Sequence, residues 1–536
     1  MSDLPVDALG AAWLASTYKI APVAPLLVLS QAGKRRATEI SDGRRLETYP
    51  EVMRPAATLA AHLQFHLRYE VVHLEFLARL FGQAGPQPVQ TWVESEPTGQ
   101  YARRAAFLYE WLTGDLLQVP ERLAGGYVDA IDPDKQVAAS ADQIVKVRRW
   151  RINDNLPGTR HFCPMVARSE GVDQAMSLDV GQLLLGLREE FGEDLLLRAA
   201  AWMTLRESKA SFAIEGEGSQ ATRIQRFADV MARRTGQGAS PLAEAELADL
   251  QQQILGKTTL TRFGIRQSPV FVGETSAYQE VVHYVAPVAG DVPEMMAGLR
   301  TFLAKTQGQS SVMRSAVAAF GFVYIHPLAD GNGRLHRFLI NDVLRRDGVV
   351  SEPIILPVSA VISADSSERR AYDRILDTVS QPLMEAVRDH VSFSPLHTTY
   401  ADGVVSNLAF DGELLARPAW RYPDLGRHVE YLAAILTRTV SEQMRAESRY
   451  LRRQARARAA LKEVVEMPDV QADRVLRSIE QNDGSLSNVL RKEMSVLDEA
   501  GIWEAVVDAV RHAWLLEKEG DTLVAALYGP ERSGHR

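Results

Sequence analysis

His326, Asp330, Arg334 and Arg337 fall within the twelve residues HPLADGNGRLHR. A histidine can take a proton from an attacking hydroxyl. An aspartate is a hard oxygen ligand, and Mg2+ bridging phosphates needs such a carboxylate. Two arginines three apart lie on one helix face and reach one anion together. Between them, Asp330-Gly331-Asn332-Gly333 reads as a tight turn, because Gly and Asn tolerate positive φ. A helix starting near Arg334 points its first N–H groups back into that turn, and its dipole completes an anion site. Two guanidiniums over an amide nest suit a polyphosphate better than a single carboxylate. Base, metal-binding acid, nest and cations are together the parts of a phosphoryl or nucleotidyl transfer site. Each piece alone fits a Gly-Asn loop between packed helices; the full string at this spacing carries the chemistry.

Two other phosphate signatures do not compete. G-x-x-x-x-G-K-[ST] is absent, and GEGSQA (216–221) fits the dinucleotide fingerprint only loosely and follows a helix where that motif needs a strand.

HPLADGNGRLHR closely resembles the signature of the Fic family, His-Pro-Phe-x-Asp/Glu-Gly-Asn-Gly-Arg-x-x-Arg. The departure is Leu328, an apolar anchor where the family usually has Phe. Most family members with Gly at the position of Gly333 transfer AMP from ATP to a protein hydroxyl; the Doc-like kinases have Lys there. Carried over by position, the resemblance implies His326 as the base for a Ser, Thr or Tyr hydroxyl and Asp330 as the Mg2+ ligand. It implies Gly331, Asn332, Gly333 and Arg334 around the α- and β-phosphates, and Arg337 on the γ-phosphate. SFAIEG (211–216) is similar to the family's inhibitory motif Ser/Thr-x-x-x-Glu-Gly/Asn, with Ser211, Glu215 and Gly216 at its defined positions. It lies upstream, as in the class with an N-terminal inhibitory helix. Glu215 paired with Arg337 would occupy the cation that the γ-phosphate needs. Val270, Phe271, Val272 and Gly273 sit where the family has its flap, which adds an extended target segment as a strand through main-chain hydrogen bonds. Tyr372 resembles a nucleotide-pocket tyrosine and would equally suit a core contact.

The elements that must position these groups are mostly helical. Apolar runs before and after the loop (316–325 and 338–344) predict helices on both sides. The stretches 178–191 and 194–214 are strongly helical, the second ending at Gly216 as a left-handed cap. SPVFVGETSAYQEVVHYVAP (268–287) is the clearest strand signal, two β-branched and aromatic runs around a turn. The expected fold is mainly α: a Fic-type helical core with one β-hairpin flap, plus helical N-terminal and C-terminal regions. The expected divisions are 1–160, helical with loops; 161–225, a helical segment with the inhibitory motif; 226–395, the catalytic core; 396–425, a linker; and 426–520, a helical C-terminal region with a helix-turn-helix look.

Composition narrows the rest. A chain of 536 residues is too long for one core. With 60 basic and 68 acidic side chains, net charge −8, it has no general drive toward nucleic acid or anionic membranes. The single cysteine, Cys163, excludes an internal disulfide and reads as a small buried residue. No run approaches the ~20 residues of a membrane span, and the N-terminus lacks the basic region of a signal peptide, so a cytoplasmic protein is expected. His62, His66 and His73 share a helix face, but Leu63 stands where a metalloprotease helix needs glutamate; partly exposed histidines are expected rather than a metal site. Six arginines from Arg445 to Arg458 crowd one tail helix. They are read as a solvated face, with nucleic acid, protein docking and homo-oligomer formation left open. The expected function is a protein adenylyltransferase using ATP and Mg2+, held off by Glu215. The alternatives are removal of AMP from a target through Glu215, or a nucleotide-sensing, nucleic-acid-binding regulator.

Overall fold

The computed structural model describes residues 4–41, 44–257, 259–275 and 280–528. The chain opens with β1 (Ala8–Leu9), α1 (Gly10–Thr17), β2 (Val28–Gly33), β3 (Ala37–Ser41), β4 (Arg44–Pro50), α2 (Leu59–Tyr69), α3 (Leu74–Ala84), α4 (Gln87–Ser95) and α5 (Gln100–Thr113). Short strands follow, β5 (Val128–Asp129), β6 (Val145–Val147) and β7 (Ile152–Asp154), then α6 (Glu170–Met176), α7 (Val180–Phe191), α8 (Glu193–Ile214), α9 (Ala221–Arg234) and α10 (Glu244–Leu255). The middle of the chain holds the hairpin β8 (Phe271–Thr275) and β9 (Glu280–Val285), with α11 (Val292–Lys305), α12 (Ser311–Ile325), α13 (Asn332–Arg346), α14 (Val358–Ile362) and α15 (Ser366–Val387). The last part comprises β10 (Val391–Thr399), β11 (Val405–Phe410), α16 (Glu413–Arg421), α17 (Gly426–Arg438), α18 (Arg445–Val464), α19 (Asp469–Gln481), α20 (Asn488–Glu493) and α21 (Ile502–Tyr528).

The fold is mainly α, as its periodicity requires. Two compact units form, one from residues 1–180 and 204–437, the other from 181–203 and 438–536. Helix α8 thus contributes its first half to the second unit and its last half to the first. Segment 396–425, read in the sequence as a linker, carries the end of β10, β11 and α16.

In the first unit, an N-terminal core gathers Phe76, Phe81, Trp92, Phe107 and Trp150. This region holds more strand than its periodicity suggests: a sheet ordered β1-β2-β4-β3 and a second ordered β5-β7-β6. β1, β5, β6 and β7 have only two or three residues, and β2 and β4 bury the polar Ser30 and Glu47, so the period-2 signal is hidden. The helix read as carrying His62, His66 and His73 breaks between α2 and α3. There the Nδ1 of His73 accepts the Phe76 N–H as an N-cap, and the Glu70 carboxylate accepts the Ala11 N–H at 2.9 Å. The three histidines are not on an exposed face. His62 stacks on Trp13 with centroids 3.8 Å apart, and His66 bonds Glu70 at 2.7 Å. Cys163 is buried, which pushes its thiol up to about 12.

The second unit has its own core of Leu461, Val475, Ile479, Trp503, Val506 and Val510. The basic face of α18 is partly exposed and also pairs inside this unit. Arg445 and Arg449 reach Glu190 at 3.2 and 4.0 Å, Arg452 lies over Phe191, Arg453 pairs with Glu480 and covers Trp514, and Arg458 holds Asp473 at 2.6 Å. The stretch with a helix-turn-helix look forms α19 and α20, but α20 has only six residues. No helix among the described residues is long and apolar enough to cross a membrane.

Candidate active site

The loop from His326 to Gly331 joins two buried helices. Helix α12 starts at Ser310, whose hydroxyl accepts the Met313 N–H, and it is apolar nearly all round, so it must be enclosed. It ends when His326 turns left-handed, φ 50° and ψ 57°, donating its N–H to the Phe322 carbonyl. A left-handed non-glycine residue costs about 1–2 kcal/mol and persists only where its surroundings fix it. Gly331, also left-handed at φ 92°, is the N-cap of α13.

Asn332 holds the loop closed. Its side-chain oxygen accepts the Leu328 N–H at 3.0 Å, and its amide donates to the Leu328 carbonyl at 2.8 Å. Leu328 is fully buried, so the leucine at this position still anchors the loop. Gln251, from α10, donates to the Asp330 carbonyl at 2.9 Å and accepts the Gly264 N–H. The Asp330 carboxylate is left exposed at the mouth of the loop.

His326 is half-buried. Its Nδ1 donates to the Val323 carbonyl at 3.3 Å. Burial first, and the nearby Arg266 charge second, push its pKa down to about 4. The ring is therefore neutral near pH 7, with Nδ1 protonated and Nε2 carrying the lone pair. This is the state a general base requires.

The two arginines of the motif meet the end of α8. Ser211 and Glu215 are four apart and share one face. Arg337 is 1% exposed; its Nε donates to the Ser211 hydroxyl at 2.7 Å and its terminal nitrogen to the Glu215 carboxylate at 2.6 Å. Burial opposes charge on Glu215, but Arg337, Arg334 and Arg369 together hold its pKa below the ordinary value. A Cβ on Gly333 would lie 2.2 Å from the Glu215 oxygen, so only glycine lets the carboxylate lie over the start of α13.

Gly216 ends α8 as a left-handed cap at φ 76°. The Gly216 N–H bonds the Ala213 carbonyl and the Glu217 N–H bonds the Phe212 carbonyl, the paired closure of a Schellman turn. This reversal brings a second carboxylate back: Glu217 accepts from Arg334 at 2.5 Å. Arg334 also lies over the Phe212 ring at 4.6 Å. Its Nε and other terminal nitrogen are buried with no partner among the described residues. Two acids at the negative end of a helix oppose its dipole, a cost these arginines offset. Glu217 was missed in the sequence; the signal was its two-residue offset from Glu215 across a glycine. Glu207, two turns before Glu215 on the same face, was missed too. It accepts from the Ser359 N–H at 2.7 Å and the Ser359 hydroxyl, and burial pushes it up to about 7.

Tyr372 is buried behind this cluster, near His336, and burial raises its pKa while Arg337 opposes the rise. The flap residues form the hairpin expected. Val270 accepts the Ala286 N–H, Phe271 pairs with Val285 and Val272 with Tyr284. A bulge falls between Val272 and Gly273, where a Cβ would lie 2.0 Å from the Val281 carbonyl. The edge of β8 away from β9 pairs with no other strand among the described residues. Ser276, part of the expected turn, lies outside the described residues.

The loop brings together a neutral histidine, an exposed carboxylate and two buried arginines. Residues 241–344 match the Fic/DOC family. The chain is 32% identical over 117 residues to protein adenylyltransferase fic-1 of Caenorhabditis briggsae, a match covering 21% of each chain. It is also 32% identical over 115 residues to protein adenylyltransferase Fic of Drosophila grimshawi, covering 21% of this chain and 22% of the relative. The match thus spans about a fifth of the length of these relatives. A solved Fic family protein from Desulfovibrio desulfuricans G20 aligns over 60% of this chain and 90% of its own, with 20% identity and a TM-score of 0.37.

Proposed function

We propose that the protein transfers AMP from ATP to a hydroxyl of a protein target, and that α8 holds the site off. The observation that carries this reading is the pairing of both motif arginines with carboxylates from one helix end, at 2.6 and 2.5 Å. Carboxylates on these guanidiniums stand where phosphate oxygens would bind. The partnerless nitrogens of Arg334 fit the same ligand, since buried donors call for an acceptor. In this reading Gly331, Gly333 and the first N–H groups of α13 receive the α- and β-phosphates, Asn332 keeps the loop in shape, and Arg337 takes the γ-phosphate. Neutral His326 takes the target hydroxyl's proton, and β8 receives the target segment as a strand through Val270 to Gly273. Tyr372 backs Arg337 rather than meeting the nucleotide.

Asp330 would hold Mg2+. One exposed carboxylate fits that ion, which takes its remaining ligands from phosphates and water. The ion supplies charge neutralisation at the phosphates when bound.

Incubation with α-labelled ATP and Mg2+ tests the reading. Label on protein that disappears in His326→Ala supports it; nucleotide binding without any transfer contradicts it. A second reading draws on Glu215 lying over Gly333, where its carboxylate would position water to remove AMP from a modified target. It requires AMP release by the wild type that Glu215→Gly abolishes. The regulator reading loses its main support, because the α18 arginines that motivated it are engaged within their own unit.

A further inference from the structure

Arg266 is 1% exposed, and its guanidinium donates to main-chain carbonyls. Its Nε donates to the His326 carbonyl at 2.7 Å. One terminal nitrogen donates to the Ser268 carbonyl at 2.8 Å, and the other to the Pro287 carbonyl. Its own N–H donates to the Pro327 carbonyl at 2.8 Å. Ser268 precedes β8 and Pro287 follows β9, so one planar guanidinium ties both ends of the hairpin to the backbone of the histidine. A second clasp stands beside it: the Asp402 carboxylate accepts from the Gln267 and Ser268 N–H groups and the Ser268 hydroxyl.

The chemistry of this contact is specific. A buried cation is costly even with the Asp402 charge acting in its favour, and hydrophobic residues would fill the same space more cheaply. What an apolar residue cannot do is hold three carbonyls from three segments in one rigid plane. One of those carbonyls belongs to the left-handed residue that ends α12, where the guanidinium also faces the negative pole of that helix.

We propose that Arg266 is a positioning residue that fixes His326 and the hairpin in one register, so that a hydroxyl on a docked segment meets the histidine Nε2. The inference rests on reading His326 as the base. Arg266 is not near the phosphate-binding arginines in the hydrogen-bond pattern, so its loss acts on alignment and spares nucleotide binding. Misplacing a reacting group by about 1 Å costs on the order of 10²-fold in rate.

The test uses the full chain carrying Glu215→Gly, with Arg266→Met and Arg266→Lys added separately. Self-labelling by α-labelled ATP is followed against ATP concentration, and nucleotide stoichiometry is measured by calorimetry. The expected result for Arg266→Met is a maximal rate lower by about ten- to a hundredfold, with half-saturating ATP and stoichiometry unchanged. Arg266→Lys, which keeps the charge but replaces three nitrogens by one, recovers part of the rate. An unchanged rate in either variant overturns the proposal. So does a rate that falls in step with nucleotide stoichiometry, which marks a merely structural arginine. If Arg266→Met does not fold, the same split between rate and half-saturation must appear in Arg266→Lys. A Glu215→Gly parent that transfers no label sinks the site reading, and this inference with it; an active parent with an indifferent Arg266 sinks the inference alone.

Discussion

Arginine is concentrated in two places, the start of α13 and the length of α18, and the structure uses it differently in each. At α13 the side chains of Arg337 and Arg334 keep 1% and 5% of their surface. Their acids come from one feature, the capped end of α8. Along α18, Arg445, Arg449 and Arg453 keep 40%, 38% and 36%, and their acids belong to several helices packed in the same unit. Half-exposed pairs in high dielectric contribute little each. Buried guanidiniums answered by a single helix end are what the proposed exchange of carboxylate for phosphate needs. Residue type does not separate these two roles; burial and the origin of the partner do.

The strongest way to break this comparison is at the histidine between α12 and α13. His326→Ala in a Glu215→Gly background should lower the labelling rate by about 10²–10⁴-fold with nucleotide binding retained. The pH profile sharpens the same point. A base whose pKa is lowered to about 4 stays unprotonated through neutrality, so kcat/KM should be flat from pH 8 to pH 5 and fall as pH drops through about 4. A fall near the ordinary histidine value of about 6.5 would contradict the buried environment described.

Next in size is the cation. Adding Arg337→Ala to Glu215→Gly should remove the gained activity, a loss of about ten- to a hundredfold for a charge-assisted contact at 1.5–3 kcal/mol. Smaller still is the second carboxylate. Glu217 keeps 31% of its side-chain surface, so Glu217→Gln should add about two- to fivefold on top of Glu215→Gly, within the ~1 kcal/mol of a partly exposed pair. The smallest effect belongs to α18. Arg458→Ala should lower stability by about 0.2–1 kcal/mol in denaturant titration and leave the labelling rate alone.

The catalytic loop was legible because each of its functions needs a particular residue type at a particular place. Histidine turns left-handed, glycine caps the helix, asparagine closes the loop, and the four-residue step from Ser211 to Glu215 defines one helical face. The role of Arg266 was not legible, since a guanidinium that bonds only carbonyls leaves no partner residue in the sequence. Glu217 was hidden because its approach depends on the reversal at Gly216, a tertiary consequence of one positive φ. Among the N-terminal strands, β1 and β5 have two residues each and are fixed by neighbours rather than by pattern, while β2 and β4 bury Ser30 and Glu47, which removes the apolar alternation. The partners of the α18 arginines were not legible because Glu190 and Asp473 lie on α7 and α19.

The central claim is that the end of α8 occupies the phosphate cations. The most direct measurement compares wild type with Glu215→Gly for transfer of label from α-labelled ATP to protein at fixed Mg2+. The expected gain is about tenfold or more, toward the lower end of the range for a charged hydrogen bond, because the Glu215 side chain keeps 35% of its surface. Transfer unchanged by Glu215→Gly, with wild-type release of AMP from a modified target abolished instead, would contradict the claim and make Glu215 a hydrolytic group.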